Sequence, residues 1–217
     1  MSTFNFLMLY DQKMASIGDT SARVARQYCK RHGYRFTCHR EVLDPGLHPA
    51  WNKIVALRRH LGESEWTFWC DADTLICDPA FTMDRIVEQL SGEDIAISTD
   101  KKGMCSGLLL IRNTAWSARY LETLLFLGPH YPPARPKPLH EQETMNRIAT
   151  SFPAVGNRIM LIPESVISNP RTPCTDEVPF IMHYWSSAHT QSSIIQCMSE
   201  MQEGGWSQKC MNLKKLL

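Results

Sequence analysis

From its first residues the chain alternates apolar runs of strand length with amphipathic stretches of helix length, and that alternation admits few folds. Phe4 to Tyr10 reads as a buried strand. Asp19-Thr20 offers a start for a helix from Ser21 to His32, which Gly33 stops, and Tyr34 to His39 reads as a second strand. Pro49 opens a helix from Ala50 to Leu61, closed by Gly62, and a third apolar run, Trp66 to Cys70, follows. Strand, helix and strand in repeated order predict an α/β fold with a mixed, mostly parallel central sheet and helices on both faces. Beyond it we expect a short helix from Asp84 to Leu90, strands Ile95 to Ser98 and Leu108 to Arg112, and a helix from Trp116 to Leu127. Gly128 to Leu139 holds five prolines and reads as an irregular surface loop. A helix from Glu141 to Ala149, strands Ile159 to Ile162 and Phe180 to His183, and a polar helix from about Gln191 to Gln202 complete the expectation.

The third run is the informative one. Trp66-Thr67-Phe68-Trp69-Cys70 is followed at once by Asp71-Ala72-Asp73. A buried strand delivers acidic groups to water only where it ends, and residues i and i+2 of an extended segment point the same way. Both carboxylates can therefore converge on one ion, and hard oxygen ligands suit Mg²⁺ or Mn²⁺. A turn using the aspartates as local acceptors is the plain alternative. Cys70 and Cys77 flank the pair, but zinc would need closer cysteine or histidine partners.

Composition narrows the function classes. The 217 residues suffice for one substantial core, and a single domain over 1–217 is expected. The 23 basic and 22 acidic side chains nearly cancel, so no global field attracts nucleic acid or anionic lipid. No apolar stretch approaches the ~18 residues of a membrane span, and the start of the chain is unlike a signal peptide. Eight scattered cysteines, none in a CxxC pair, fit free thiols in a reducing compartment. A soluble, cytoplasmic protein is expected.

Several segments, taken in order, resemble metal-dependent GT-A glycosyltransferases, most nearly the α-galactosyl and α-xylosyl transferases. These are Trp51-Asn52-Lys53, Asp71-Ala72-Asp73, Ser106-Gly107-Leu108-Leu109-Leu110-Ile111-Arg112-Asn113 with Trp116-Ser117, Glu141-Gln142, Ile162-Pro163 with Ser168-Asn169-Pro170, and Met182-His183-Tyr184. Members of that family usually carry a membrane anchor and a stem, neither of which is expected here, and a Gly where this chain has Tyr184-Trp185-Ser186. Compact, anchorless domains of this kind are similar to the glycosyltransferase modules of large algal viruses, which can be the first unit of a longer polypeptide.

The resemblance implies a GT-A (Rossmann-like) fold, a UDP-sugar donor, a glycan or glycoprotein acceptor and Mn²⁺ or Mg²⁺. Asp71, Asp73 and His183 would hold the metal. Leu9, Tyr10 and Asp11 would hold the base, and Trp51, Lys53, Arg58, Asp71, Ser106 and Gly107 would line the donor. Gly107 lets backbone approach the sugar because it has no Cβ. Asp100, Glu141 and Gln142 would face the sugar, and the nearest family retains configuration. Each residue also has a plain reading: core or turn for Leu9 to Asp11, solvation for Lys53, helix capping for Glu141, packing for His183.

Two rivals stand beside this. Asp71-Ala72-Asp73-Thr74 fits the nucleophile motif of haloacid-dehalogenase-type phosphatases, with Asp71 phosphorylated, although that motif usually lies on the first strand and has a late acidic partner. A nucleotide-sugar-binding domain without turnover is the other.

Overall fold

The computed structural model describes residues 2–100, 103–130, 140–168 and 178–184. Its elements in order are β1 (Phe4–Leu9), α1 (Ala15–His32), β2 (Arg35–His39), α2 (Asn52–His60), β3 (Trp66–Cys70), β4 (Thr74–Ile76), α3 (Asp84–Val87), β5 (Ile95–Asp100), β6 (Gly103–Arg112), α4 (Ala115–Leu127), α5 (His140–Ser151), α6 (Pro153–Gly156), β7 (Ile159–Ile162), β8 (Ile167–Ser168) and β9 (Ile181–His183). Six strands form the main sheet in the order β2-β1-β3-β6-β5-β7, and β4-β9-β8 form a smaller one. In the main sheet only β6 runs against the others. The mostly parallel sheet is therefore present.

Strand alternation builds a core on each face of the sheet. Phe6, Met8, Phe68, Leu108 and Leu110 pack with Ala25 and Tyr28 of α1. Leu7, Trp69, Leu109 and Ile111 pack with Leu57 of α2, Leu124 of α4 and Met145 of α5. Strands covered on both faces read as continuous apolar runs, which is why these segments were legible.

Where the elements differ from expectation, local hydrogen bonds explain it. α1 starts at Ala15 and not at Ser21, because the Asp11 carboxylate accepts from Lys13 N at 3.0 Å and Met14 N at 3.3 Å and caps a turn, Gln12–Met14, that leads into the helix. Asp19 and Thr20 then lie inside the helix, Thr20 bonding back to the carbonyl of Ser16. β6 begins at Gly103 and not at Leu108, since the pairing with β5 continues past an irregularity at Ile97/Ser98 to Asp100↔Gly103. β4 and β8 were not expected; each is three residues or fewer and is held by β9. The helix expected from Gln191 to Gln202, Asn169-Pro170, Trp185-Ser186 and most of the proline-rich loop lie outside the described residues.

No described helix is long and apolar enough to cross a membrane. The described cysteines Cys29, Cys38, Cys70, Cys77 and Cys105 form no disulfide with one another.

The carboxyl ends of β2 and α2 meet through His39 and His60, whose Nε2 atoms are 2.8 Å apart, with Glu63 at 3.0 Å from His60 Nδ1. One ring nitrogen must donate and the other accept, so the contact tolerates only one proton between them. Burial first, then the charge of His60, pushes His39 below its ordinary value of 6.5. A histidine depressed in the fold lends stability that is full above the unfolded value and is lost as pH falls through the folded one. The urea midpoint should therefore fall more steeply from pH 7 to 5.5 in the wild type than in His39→Gln; parallel curves would refute the assignment.

Candidate metal and donor site

β3 ends at Cys70, and the chain turns through Asp71-Ala72-Asp73 into β4. Thr74 fixes that turn: its hydroxyl donates to the Asp71 carbonyl at 2.7 Å and lies 2.8 Å from Cys70 Sγ. The turn is tied to β6 as well, the Asp71 amide donating to the Gly107 carbonyl at 2.8 Å. Both carboxylates remain partly exposed, with side chains 30% and 24% accessible.

His183 reaches them through the small sheet. β4 and β9 pair antiparallel with Thr74 opposite His183, and the Tyr184 amide donates to the Asp73 carbonyl at 2.8 Å. A short ladder thus places the imidazole beside the acidic turn despite the distance in sequence. His183 Nε2 is 3.4 Å from Asp73 Oδ1 and 4.0 Å from Asp71 Oδ2, and one ligand atom from each of the three residues lies within 4.8 Å of the others. Two carboxylate oxygens and one imidazole nitrogen form a donor set that fits a divalent cation such as Mn²⁺.

Strand β6 shapes the seat of that imidazole. A Cβ on Gly107 would stand 2.7 Å from both ring nitrogens of His183, closer than real Cβ atoms come to anything. Two residues earlier, on the same side of the strand, Cys105 Sγ lies 3.7 Å from Nδ1. Gly107 therefore gives room to the ring, and Cys105 borders its far side.

Electrostatics follow from burial and pairing. His183 is pushed up to about 10: burial opposes the shift, and the charge of Asp73 outweighs it. Asp73 is held below the usual carboxylate range by His183, against the effect of burial. Asp71 is raised, because burial outweighs its pairing with Lys53.

Behind the acidic turn lies a second cluster. Lys53, near the start of α2, is buried, with its Nζ 3.1 Å from Asp71 Oδ1 and 3.0 Å from Glu141 Oε1. It also donates to the Ser106 carbonyl at 2.9 Å and the Ser106 hydroxyl at 3.1 Å. The Ser106 hydroxyl donates to Glu141 Oε1 at 2.8 Å, and the Ser106 amide to Gln142 Oε1 at 3.1 Å. The carboxylates hold Lys53 well above the ordinary lysine range despite burial, which acts the other way.

The remaining expected residues take these places. Asp100 ends β5 opposite Gly103, partly exposed. Leu9 ends β1 and packs partly buried against the second core. The Tyr10 ring is buried against Gly18, and its hydroxyl donates to Asp19 at 2.7 Å. Asp11 caps the turn into α1. Trp51 is buried, its indole filling the space beside the Cα of Gly128. Arg58 is at the surface, its Nε donating to Glu122 at 2.9 Å. Asp71, Asp73, His183, Lys53, Ser106, Gly107, Glu141 and Gln142 are thus brought together, and Arg58 faces α4.

Three supporting residues escaped sequence reasoning. Trp69 donates its indole N–H to Asp71 Oδ1 at 2.7 Å; Cys105 borders His183, and Thr74 ties the turn. Cys105 stands at i−2 from Gly107 on β6, and Trp69 at i−2 from Asp71 just past the end of β3, so the two-residue period of extended backbone was the available signal.

The fold is that of the GT-A glycosyltransferases, with the acidic turn at the carboxyl end of a central strand, where open α/β sheets bind ligands. Residues 10–91 match the model of the galactosyl transferase GMA12/MNN10 family. Among curated proteins, galactomannan galactosyltransferase 1 of Cyamopsis tetragonoloba is 26% identical over 116 residues, 48% of this chain and 26% of that protein. The match spans about a quarter of the length of such relatives. Among solved structures, a glycosyltransferase involved in glycosylation of the major capsid of PBCV-1 superposes with a TM-score of 0.72, at 13% identity over 90% of this chain and 98% of that one. The galactosyltransferase LgtC, in complex with donor and acceptor sugar analogs, gives 0.63 at 12% identity, over 98% and 96%.

Proposed function

We propose that the chain is one GT-A catalytic domain that transfers a sugar from a UDP-sugar to a glycan or glycoprotein acceptor, using Mn²⁺ or Mg²⁺ and retaining configuration. The observation that carries this reading is the convergence of Asp71, Asp73 and His183 at the carboxyl end of β3. The family match over residues 10–91 and the sugar-bound complex of LgtC support the donor class.

A divalent cation bound there would supply Lewis-acid neutralisation of the departing diphosphate. The chain's own residues do the rest. Asp73 and His183 offer ligand atoms to the cation side. Asp71 divides its carboxylate between that side and Lys53, so the metal site and the cluster behind it share one group. Glu141 is fixed by Lys53 and Ser106, whereas Gln142 stays partly exposed and is the better placed of the two to lie beneath the anomeric carbon.

Asp73→Ala tests the reading. The side chain pairs with the buried His183, so its loss should lower the thermal midpoint without unfolding the protein, while calorimetry no longer detects Mn²⁺-dependent UDP binding. UDP affinity that stays the same with and without Asp73 would overturn the site.

A further inference from the structure

We propose that His48 and His140 are positioning residues whose stacked rings set the register of α5, so that Glu141 meets Lys53 and Gln142 meets Ser106. What those groups then do rests on the glycosyl-transfer reading; the clasp itself does not.

α2 and α5 are far apart in sequence, yet Lys53 and Glu141 must meet at 3.0 Å inside the protein. On its inner side α5 is tied by Asn146, whose Oδ1 accepts from Met104 N at 3.0 Å and whose Nδ2 donates to Met104 O at 2.9 Å. That tether lies more than a helical turn past Glu141. Between it and the helix start, Glu141 and Gln142 bond Lys53 and Ser106, and their alignment depends on how the first turn is held.

A further point of attachment, ahead of Glu141, is His140, the first residue of α5. Its φ is 45°, the only positive value at a residue other than glycine among those described. A left-handed backbone is strained for any residue that carries a side chain. Its ring stacks on His48 with centroids 3.6 Å apart and planes 15° from parallel. The ring contact opposes that strain by holding His140 in place.

His48 is anchored in turn. It is the N-cap of the turn Pro49–Trp51 that leads into α2, its Nδ1 accepting from Ala50 N at 3.3 Å. The stack therefore joins the entrance of the helix bearing Lys53 to the entrance of the helix bearing Glu141 and Gln142.

His48→Asn and His140→Tyr separate the ring from everything else. Asparagine keeps an acceptor for the Ala50 amide but has no ring, and tyrosine keeps a ring at the strained position. Hydrogen exchange read by mass spectrometry should show the amides of residues 144–148 exchanging about tenfold faster in His48→Asn, with β3 and β6 unchanged. His140→Tyr should stay within about twofold of wild type. Equal protection in His48→Asn, or a rise spread evenly over all elements, would overturn the clasp.

Mn²⁺ affinity, read from the resonance of the free ion, should be unchanged in both variants. For any UDP-sugar that wild type hydrolyses, kcat should fall about tenfold in His48→Asn at constant KM. A wild type that binds no Mn²⁺ defeats the glycosyl-transfer reading, while the exchange data still decide the clasp.

Discussion

Gly107→Ala should cost the protein the proposed cation site while leaving the main sheet folded. The added methyl would be built 2.7 Å from both nitrogens of the His183 ring, so the ring must leave its present seat. It cannot simply slide, because Cys105 borders it on the same strand and the β4–β9 ladder fixes its backbone opposite Thr74. Disturbing a group that orients a metal ligand typically lowers affinity 10–100-fold, and displacing the ligand itself should do at least as much. The cost to stability should be that of overpacking, roughly 1–3 kcal/mol. Mn²⁺ titration of the variant beside His183→Ala is the measurement. Two similarly weakened proteins confirm that Gly107 serves the imidazole. A variant that binds Mn²⁺ normally but fails with UDP-sugars would return Gly107 to the role expected from sequence, a backbone approach to the donor.

The contrast between Gly107 and the acidic pair shows which parts of the site sequence can reveal. Asp71 and Asp73 were legible because a strand's end and its two-residue period are local properties. The expected single core is instead two, because Phe6 against Leu7, and Phe68 against Trp69, alternate between faces within single strands. What joins distant segments left no local trace. His183 meets the aspartates through β4 and β9, three residues each, too short to register as apolar runs. Asp11 gives no sign in sequence that it caps the entry to α1, because the turn it caps precedes the amphipathic pattern of that helix. Lys53 looked like a solvated or phosphate-binding lysine, since nothing near it in sequence announces Glu141 as a partner.

Lys53→Met is the variant that separates those two views of the lysine most sharply. Methionine fills nearly the same volume but leaves Asp71 and Glu141 facing one another, with Glu141 buried and the Ser106 carbonyl deprived of a donor. Removing one partner of a buried ion pair typically costs 3–5 kcal/mol, because the other charge stays out of water without compensation. A lysine that served only a bound nucleotide would show almost no such cost, so urea unfolding without any ligand decides the matter. The pH dependence gives a second check. Burial already raises Asp71 above the usual carboxylate range, against the pull of Lys53, and losing that pull must raise it further. A carboxyl whose folded value exceeds its unfolded one favours the fold increasingly as pH falls through the folded value. The deficit of Lys53→Met relative to wild type should therefore be largest at pH 8 and narrow toward pH 5. A deficit below about 1 kcal/mol at pH 8, with UDP affinity reduced, would make Lys53 a ligand contact and not the internal cation that joins Asp71 to Glu141.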